Sequence, residues 1–202
     1  MSDADYDVAI VDSGGANLAS LQHALTRLGA RSRVTAEAGS IATAPRVIVP
    51  GVGSAQSAMG RLRAAGLDVR LPQLRQPVLG ICLGMQLLFS TSDEGDTDCL
   101  GIIEGRVRRL LPTPERPVPH MGWNSLTERR PDPLLNGIVD DDYFYFVHSF
   151  AATPGATTIA ATAYGESLAA VVRQDNFWGA QFHPERSGRP GARLLENFLR
   201  LC

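Results

Sequence analysis

The first half of the chain alternates short apolar runs with segments of helical periodicity. The apolar runs are residues 6–11, 46–49 and 77–81, and turn-forming or small residues follow each of them. Apolar residues recur at the spacing of one helix face in three segments, residues 18–28, 55–65 and 83–89. Because strands that alternate with helices form parallel sheets, this half predicts a mainly parallel sheet with helices on both faces.

The second half changes character, because strand-like runs follow one another with only turns between them. These runs are residues 101–110, 118–126, 143–150, 157–164, 168–173 and 177–182. A hairpin turn is predicted at residues 174–176, a final helix over 190–199, and a mobile surface loop at 90–99. Together the pattern predicts one α/β domain over residues 1–202. Its sheet is open, mixed and mainly parallel, of flavodoxin-like type, with additional antiparallel strands in the second half.

Composition narrows the range of functions. The 19 basic residues are all arginine, and the net charge is −2, so neither nucleic acid nor an anionic membrane is expected as the main partner. The absence of lysine excludes Schiff-base chemistry and lysine-dependent phosphate loops. Three cysteines without a CxxC pair favour a reducing cytoplasm over a disulfide framework. No metal or other cofactor is predicted, and no apolar run reaches the ~20 residues of a membrane span.

Residues 78–89 read VLGICLGMQLLF, an apolar run with a cysteine between two glycines. Cysteine is often simply buried, so core packing alone would explain Cys82. A sharp turn from strand to helix, however, exposes the intervening side chain in the strained conformation of a nucleophile elbow. Gly80 and Gly84 are small enough for such a turn. The pattern therefore predicts that Cys82 is a nucleophile at a helix start, where the helix dipole favours thiolate.

Attack on a carbonyl creates an oxyanion, which needs backbone N–H donors near the nucleophile. The first predicted donor is the N–H of Leu83, directly after the cysteine. Residues 50–53 read PGVG at the end of another predicted strand, and Val52 is predicted to supply the second donor. The alternative for this loop is an ordinary turn between a strand and a helix.

A thiol nucleophile also needs an acid–base partner. His183 lies in the sequence QFHPE, where an extended chain would place His183 and Glu185 on the same side. Glu185 would then orient the imidazole through its second nitrogen. The rival base is His148, although a histidine after an aromatic strand is more often packed. The HxE pattern also opens a zinc deaminase signature, but the PCxxC that completes it is absent.

Five motifs in this order resemble those of the class I, or triad, glutamine amidotransferases, and the resemblance covers essentially the whole chain. The motifs are PGVG at 50–53, GICLGMQ at 80–86, PHMGWN at 119–124, YFVHS at 145–149 and QFHPERSG at 181–188. The resemblance implies that Cys82 attacks the side-chain amide of glutamine. It implies that His183 passes the thiol proton to departing ammonia, and that Glu185 orients His183. The contacts to glutamine that it implies come from Gly51, Gly53, Gln86, Ser149 and Phe150.

The resemblance also implies a partner, because the motifs are closest to those of family members that work as a heterodimer with a (β/α)8-barrel cyclase subunit. Ammonia released into water would be protonated, and a dry passage to a second active site preserves its lone pair. The interface residues that the resemblance implies are Asn17, Met121, Trp123, Tyr145 and Arg186. For Trp123, plain core packing is the alternative.

Three other functions stay open at this point. Within the family, the chain could serve anthranilate, guanylate or carbamoyl phosphate synthesis instead. A γ-glutamyl peptidase could use the same triad. A non-catalytic flavodoxin-like module is the third alternative, in which the cysteine is inert and residues 13–15 cradle a phosphate at a helix N-terminus.

Overall fold

A computed structural model describes residues 6–12 and 18–201 of the chain. The strands within these residues are β1 (Val8–Val11), β2 (Ser32–Thr35), β3 (Val47–Gly51), β4 (Val78–Cys82), β5 (Phe89–Ser92), β6 (Thr97–Asp98), β7 (Ile103–Arg109), β8 (His120–Ser125), β9 (Tyr143–His148), β10 (Phe150–Ala152), β11 (Thr158–Ala163), β12 (Ser167–Gln174) and β13 (Phe177–Ala180). The α-helices are α1 (Leu18–Arg27), α2 (Ala38–Thr43), α3 (Ala55–Ala64), α4 (Leu67–Arg70), α5 (Leu83–Gln86) and α6 (Gly188–Arg200). Short 3₁₀ helices occupy Leu71–Gln73, Pro133–Leu135 and Pro184–Arg186.

The main sheet has seven strands in the order β11-β12-β13-β4-β3-β1-β2. The five strands from β13 to β2 are parallel to their neighbours, whereas β11 and β12 join the edge by antiparallel pairing. The predicted fold class, a mixed and mainly parallel sheet with added antiparallel strands, is therefore confirmed. Because β3, β4 and β13 are adjacent and parallel, their carboxyl ends meet at one edge of the sheet, where α/β folds place their ligands.

Both faces of the main sheet are covered, because neighbouring residues along each central strand point to opposite sides. In β1, Val8 and Ile10 belong to the core that includes residues of α1 and α6, such as Leu25 and Phe198. Ala9 and Val11 belong to the opposite core, which includes residues of α3. Within residues 6–12 and 18–201, no helix is both long and apolar enough to cross a membrane.

Two smaller sheets complete the fold. The first contains four strands in the order β10-β7-β5-β6. The second is a two-stranded antiparallel ribbon of β8 and β9, in which His120 pairs with His148 and Trp123 with Tyr145. We call this β8–β9 pair the ribbon. Its inward-facing Phe144 and Phe146 join the first core, so one face of the ribbon is anchored and the other faces outward.

The elbow between β4 and α5 is held by unusually close backbone packing. Cys82 has φ 54° and ψ −113°, a left-handed conformation that costs a non-glycine residue about 1–3 kcal/mol. A Cβ on Gly80 would lie 2.6 Å from the Gly84 carbonyl oxygen, and a Cβ on Gly84 would overlap the carbonyl group of Val49. A Cβ on Gly51 would lie 2.6 Å from the Gly84 nitrogen. These three glycines therefore let the ends of β3 and β4 touch the start of α5.

Two sequence predictions near this elbow are wrong. The helix predicted over residues 83–89 ends at Gln86, and Phe89 begins β5. The cause is strand pairing, since Phe89 pairs with Ile103 of β7 and the carbonyls of Leu88 and Phe89 accept hydrogen bonds from residues 101–103. For the same reason the predicted surface loop at 90–99 contains parts of β5 and β6.

Substitution of Gly84 by alanine tests the packing at the elbow. Because the added methyl group would collide with the backbone of Val49, Gly84→Ala is expected to lower the free energy of unfolding by about 2 kcal/mol or more. The matched control is Gly60→Ala in α3, where a Cβ meets nothing within 4 Å. That variant is expected to gain about 0.5–1 kcal/mol from its higher helix propensity. Urea unfolding measures both values, and equal effects would contradict the packing argument.

Candidate active site

Cys82, His183 and Glu185 come together at the carboxyl edge of the main sheet, although a hundred residues separate the first from the second. Cys82 is presented by the elbow, and His183 directly precedes the 3₁₀ helix Pro184–Arg186. The Nδ1 of His183 lies 2.9 Å from Oε1 of Glu185, and both side chains are buried. The ring of His183 also interacts with the Cys82 thiol. This arrangement leaves the second ring nitrogen to exchange a proton with sulfur.

The electrostatic surroundings of His183 favour its protonated form. Burial by itself lowers the pKa of His183, but hydrogen bonds to Cys82 and Glu185, together with their charges, raise the pKa to about 10. An imidazolium at neutral pH is the counter-ion that a thiolate needs. His183 is thus arranged to carry a positive charge next to the Cys82 side chain.

A cavity of about 340 Å³ opens beside the Cys82 sulfur. Its lining contains each residue that was predicted as an oxyanion donor or as a glutamine contact. The lining residues are Gly51, Val52, Gly53, Cys82, Leu83, Gln86, Glu94, Pro119, Val147, His148, Ser149, Phe150 and His183. Glu185 is not among them, as expected for a group that acts through His183. Within residues 6–12 and 18–201, no group of three or more His, Cys, Asp or Glu could hold a metal ion.

Glu94 is a cavity residue that the sequence analysis missed. It lies between β5 and β6, and its Oε2 accepts a hydrogen bond of 2.7 Å from the backbone N–H of Ala55, the first residue of α3. A carboxylate fixed in this way can attract an ammonium group in the cavity. The sequence carries no signal that separates Glu94 from its acidic neighbours in the segment STSDEGDTDC, because only the fold brings that segment to the cavity.

His148 is not placed to act as the base, because hydrogen bonds occupy both of its ring nitrogens. Its Nδ1 lies 2.9 Å from the carbonyl oxygen of Phe150, and its Nε2 lies 3.0 Å from Nδ1 of His120. Burial, helped by the charges of His120 and His183, lowers the pKa of His148 to about 3 despite the bond to Phe150. Burial also lowers the pKa of His120 to about 4. Both rings are therefore neutral at physiological pH.

Most of the predicted interface residues lie on the outward face of the ribbon. Met121 and Trp123 are 66% and 57% exposed, and the Trp123 ring lies edge-on to Tyr145 with centroids 5.9 Å apart. The guanidinium of Arg186 lies 4.4 Å from the centre of the Tyr145 ring. These four residues form one surface, which we call the ribbon face. Asn17 lies outside the described residues.

Comparison with known proteins identifies the class of protein to which this fold and site belong. A solved structure described as a glutamine amidotransferase matches with a TM-score of 0.73 at 21% identity, covering 96% of this chain and 97% of that one. PurLQS from Thermotoga maritima matches with a TM-score of 0.69 at 16% identity, covering 96% and 98%. Residues 9–202 match the family described as glutamine amidotransferase class-I. The chain belongs to the class I glutamine amidotransferase family.

The most informative relatives narrow the class further. The imidazole glycerol phosphate synthase subunit HisH of Xanthomonas campestris pv. campestris is 52% identical over 195 residues, which cover 96% of this chain and 98% of the relative. The HisH subunit of Xylella fastidiosa is 51% identical over 195 residues, with the same coverage. The family resemblance drawn from the five sequence motifs is thereby confirmed.

The charge states of the buried histidines can be checked by nitrogen NMR. At about pH 5.5, below the usual histidine pKa of about 6.5, His183 is expected to be doubly protonated. His120 and His148 are expected to remain neutral, because burial opposes their ionisation. Their protons are expected on Nδ1, which in His148 faces the Phe150 carbonyl and in His120 faces Nε2 of His148. Removal of the sulfur in Cys82→Ala is expected to lower the pKa of His183 and to leave the other two rings unchanged.

The same pKa shifts determine the sign of the stability changes with pH. Because the pKa of His183 rises on folding, the stabilisation it contributes is complete below about pH 6.5 and is lost as the pH rises towards about 10. For His148 the pKa falls on folding, so its contribution is complete above about pH 6.5 and is lost towards about pH 3. A protonated His148 ring at pH 5.5 would contradict this assignment.

Proposed function

We propose that the chain is the glutaminase subunit of an imidazole glycerol phosphate synthase, and that it supplies ammonia to a cyclase subunit in histidine biosynthesis. The main support for the proposal is that His183 interacts with both Cys82 and Glu185, and that Cys82 and His183 line a cavity. The identity of about half of all aligned residues to HisH subunits supports this assignment over anthranilate, guanylate or carbamoyl phosphate synthesis.

The first half of the reaction forms a thioester. The Cys82 thiolate attacks the carbonyl carbon of the glutamine side chain, and the carbonyl oxygen becomes an oxyanion. Val52 and Leu83 both line the cavity, and their backbone N–H groups are the proposed donors to that oxyanion. His183 then gives its proton to the amide nitrogen, the C–N bond breaks, and ammonia leaves.

The second half regenerates the enzyme. Neutral His183 removes a proton from water, the resulting hydroxide attacks the thioester carbon, and the C–S bond breaks to release glutamate. The sulfur departs as a thiolate beside the imidazolium that has just formed. Glu185, through its 2.9 Å bond to Nδ1, keeps the reacting nitrogen of His183 turned towards the sulfur in both halves.

Groups around the cavity are suited to the two ends of glutamine. We assign the α-ammonium to the Glu94 carboxylate, which is already aligned by its bond to the N–H of Ala55. The backbone at Ser149 and Phe150, together with Gly51, Gly53 and Gln86, is assigned to the rest of the substrate. Because Gln86 donates both of its amide hydrogens to protein groups, its Oε1 is the atom left for a substrate donor.

The ribbon face is the proposed docking surface for a (β/α)8-barrel cyclase subunit in a heterodimer. Large exposed apolar side chains on one strand pair are typical of protein interfaces. Met121 of the ribbon face pairs directly with Val147, which lines the cavity. We therefore place the path of ammonia from Cys82 to the partner beside this residue pair. Asn17 stays a predicted contact, outside the described residues.

The alternatives are less well supported. A non-catalytic module would not need a strained cysteine at a cavity, and residues 13–15, which would cradle its phosphate, lie outside the described residues. A γ-glutamyl peptidase would share the triad but would have no use for the apolar ribbon face. The nucleophile must stay reduced, and we propose that the chain works in the cytoplasm.

The two free cysteines among residues 6–12 and 18–201, Cys82 and Cys99, allow a controlled test of the nucleophile. A glutamine-mimicking alkylating reagent is expected to label Cys82, and Cys82→Ala is expected to lose at least about a thousandfold in kcat for glutamine hydrolysis. Cys99 is the matched control, because burial raises the pKa of its thiol to about 11 and the residue does not line the cavity. Cys99→Ala is expected to keep wild-type activity. Label on Cys99 in the wild type, found by peptide mass spectrometry, would contradict the proposal.

The docking surface can be tested separately from the chemistry. Trp123→Ala is expected to weaken binding to the cyclase subunit by about tenfold or more, because exposed aromatic side chains are frequent hot spots. The control is Val69→Ala in α4, an exposed apolar residue that is not part of the ribbon face. Affinity is measured by titration calorimetry. Equal affinities for the two variants would show that the partner docks elsewhere.

A further inference from the structure

Besides His183, two groups contact the Cys82 sulfur, and they favour opposite protonation states. The carbonyl oxygen of Val147 lies 3.8 Å from Sγ and can only accept a hydrogen bond, so it favours the thiol. The side-chain Nε2 of Gln181 also lies 3.8 Å from Sγ. A carboxamide N–H donates, so this contact favours the thiolate. The orientation of the Gln181 amide therefore matters for the chemistry.

That orientation follows from a neighbouring backbone carbonyl. The oxygen of Phe150 can only accept hydrogen bonds, and the Gln86 amide lies 2.8 Å from it, so Gln86 must present its NH₂ group there. The same NH₂ group lies 3.0 Å from the Gln181 amide, which must then offer its oxygen to Gln86. The remaining end of the Gln181 amide, which faces Cys82, is consequently the NH₂ group.

The same carbonyl is held from its other side. Nδ1–H of His148 donates to the Phe150 oxygen, so Nε2 of His148 must accept from Nδ1–H of His120. Nε2 of His120 is then left to accept from the Asn124 amide, 3.4 Å away. The Phe150 oxygen therefore accepts hydrogen bonds from two groups, His148 and Gln86, and Gln86 in turn donates to Gln181. Gln181 itself is fully buried, and rotation of its amide would break the bond to Gln86.

We propose that Gln181 is a further catalytic residue, whose side-chain N–H donates to Cys82 Sγ and stabilises the thiolate once the thiol proton has moved to His183. Gln86 and His148 act as positioning residues that keep the Gln181 amide in this orientation through the Phe150 carbonyl. The one-turn helix α5 gives a physical reason for such a donor, because four residues produce only a small helix dipole at Cys82. The inference rests on the proposed function, in which Cys82 is the nucleophile.

Two near-isosteric variants test the inference in the full-length chain. Gln181→Met removes the donor, and Gln181→Glu also places an acceptor beside the sulfur. A hydrogen bond to a charged group changes equilibria by about tenfold to a hundredfold. We expect Gln181→Met to alkylate with iodoacetamide about tenfold more slowly at neutral pH and to show less ultraviolet absorbance from the thiolate. Gln181→Glu is expected to lose more on both measures.

Glutamine turnover with the cyclase subunit present gives a second measurement. For Gln181→Met we expect kcat to fall about tenfold while KM changes less than about threefold, since Gln181 does not line the cavity. Asn197→Leu is the stability control. Asn197 lies in α6, and its buried side-chain amide donates hydrogen bonds to the carbonyls of Leu134 and Asn136, so this variant also removes a buried amide donor. That variant is expected to lose stability in urea but to keep the thiolate absorbance.

The outcomes separate this inference from the proposed function. If wild-type Cys82 is not alkylated and no glutamine is hydrolysed, the proposed function fails, and this inference fails with it. If the wild type reacts as expected but folded Gln181→Met matches it in alkylation rate, thiolate absorbance and kcat, only the inference is overturned. If Gln181→Met and Asn197→Leu lose the same fraction of thiolate absorbance, the role of Gln181 is merely structural and the inference is likewise overturned.

Discussion

The close backbone contact between the ends of β3 and β4 and the first turn of α5 is the constraint on which the site depends. Gly51, Gly80 and Gly84 leave no room for a Cβ, and the chain turns so sharply between them that Cys82 takes a left-handed conformation. A relaxed turn would not hold the sulfur at the carboxyl edge of the sheet, beside His183. Because the strain is local, the surrounding parallel strands, buried on both faces, must supply the stability that maintains it.

Strand β9, which is not part of the main sheet, contacts both His183 and Cys82. Its backbone carbonyl at Tyr145 accepts from the N–H of His183, and its carbonyl at Val147 faces the Cys82 sulfur. Its outward side chain at Tyr145 belongs to the ribbon face, whereas His148 at its end enters the buried hydrogen-bonded chain. Docking on the ribbon face would therefore act on a strand that contacts both the base and the nucleophile. This gives a physical route by which a partner can affect the chemistry.

Three buried histidines within this small region have opposite ionisation behaviour. His183 is paired with a carboxylate and a thiol, which favour its charged form strongly enough to overcome burial. His120 and His148 face each other, so a charge on either would be buried beside a neutral ring and no carboxylate. Burial alone thus does not decide the charge of a histidine in this protein. Its hydrogen-bond partners do: Glu185 lies only two residues from His183, whereas Cys82 comes from a distant segment of the chain.

The sequence by itself determined the alternation of strands and helices, the elbow around Cys82 and the pairing of His183 with Glu185, because each depends on residues close together along the chain. It did not determine that α5 stops at Gln86, since the strand pairing that follows involves residues 101–103. Nor did it single out Glu94 or the orientation of Gln181. Those features depend on contacts between segments tens of residues apart, which only the tertiary structure brings together. A pattern of neighbouring residues does not predict such contacts.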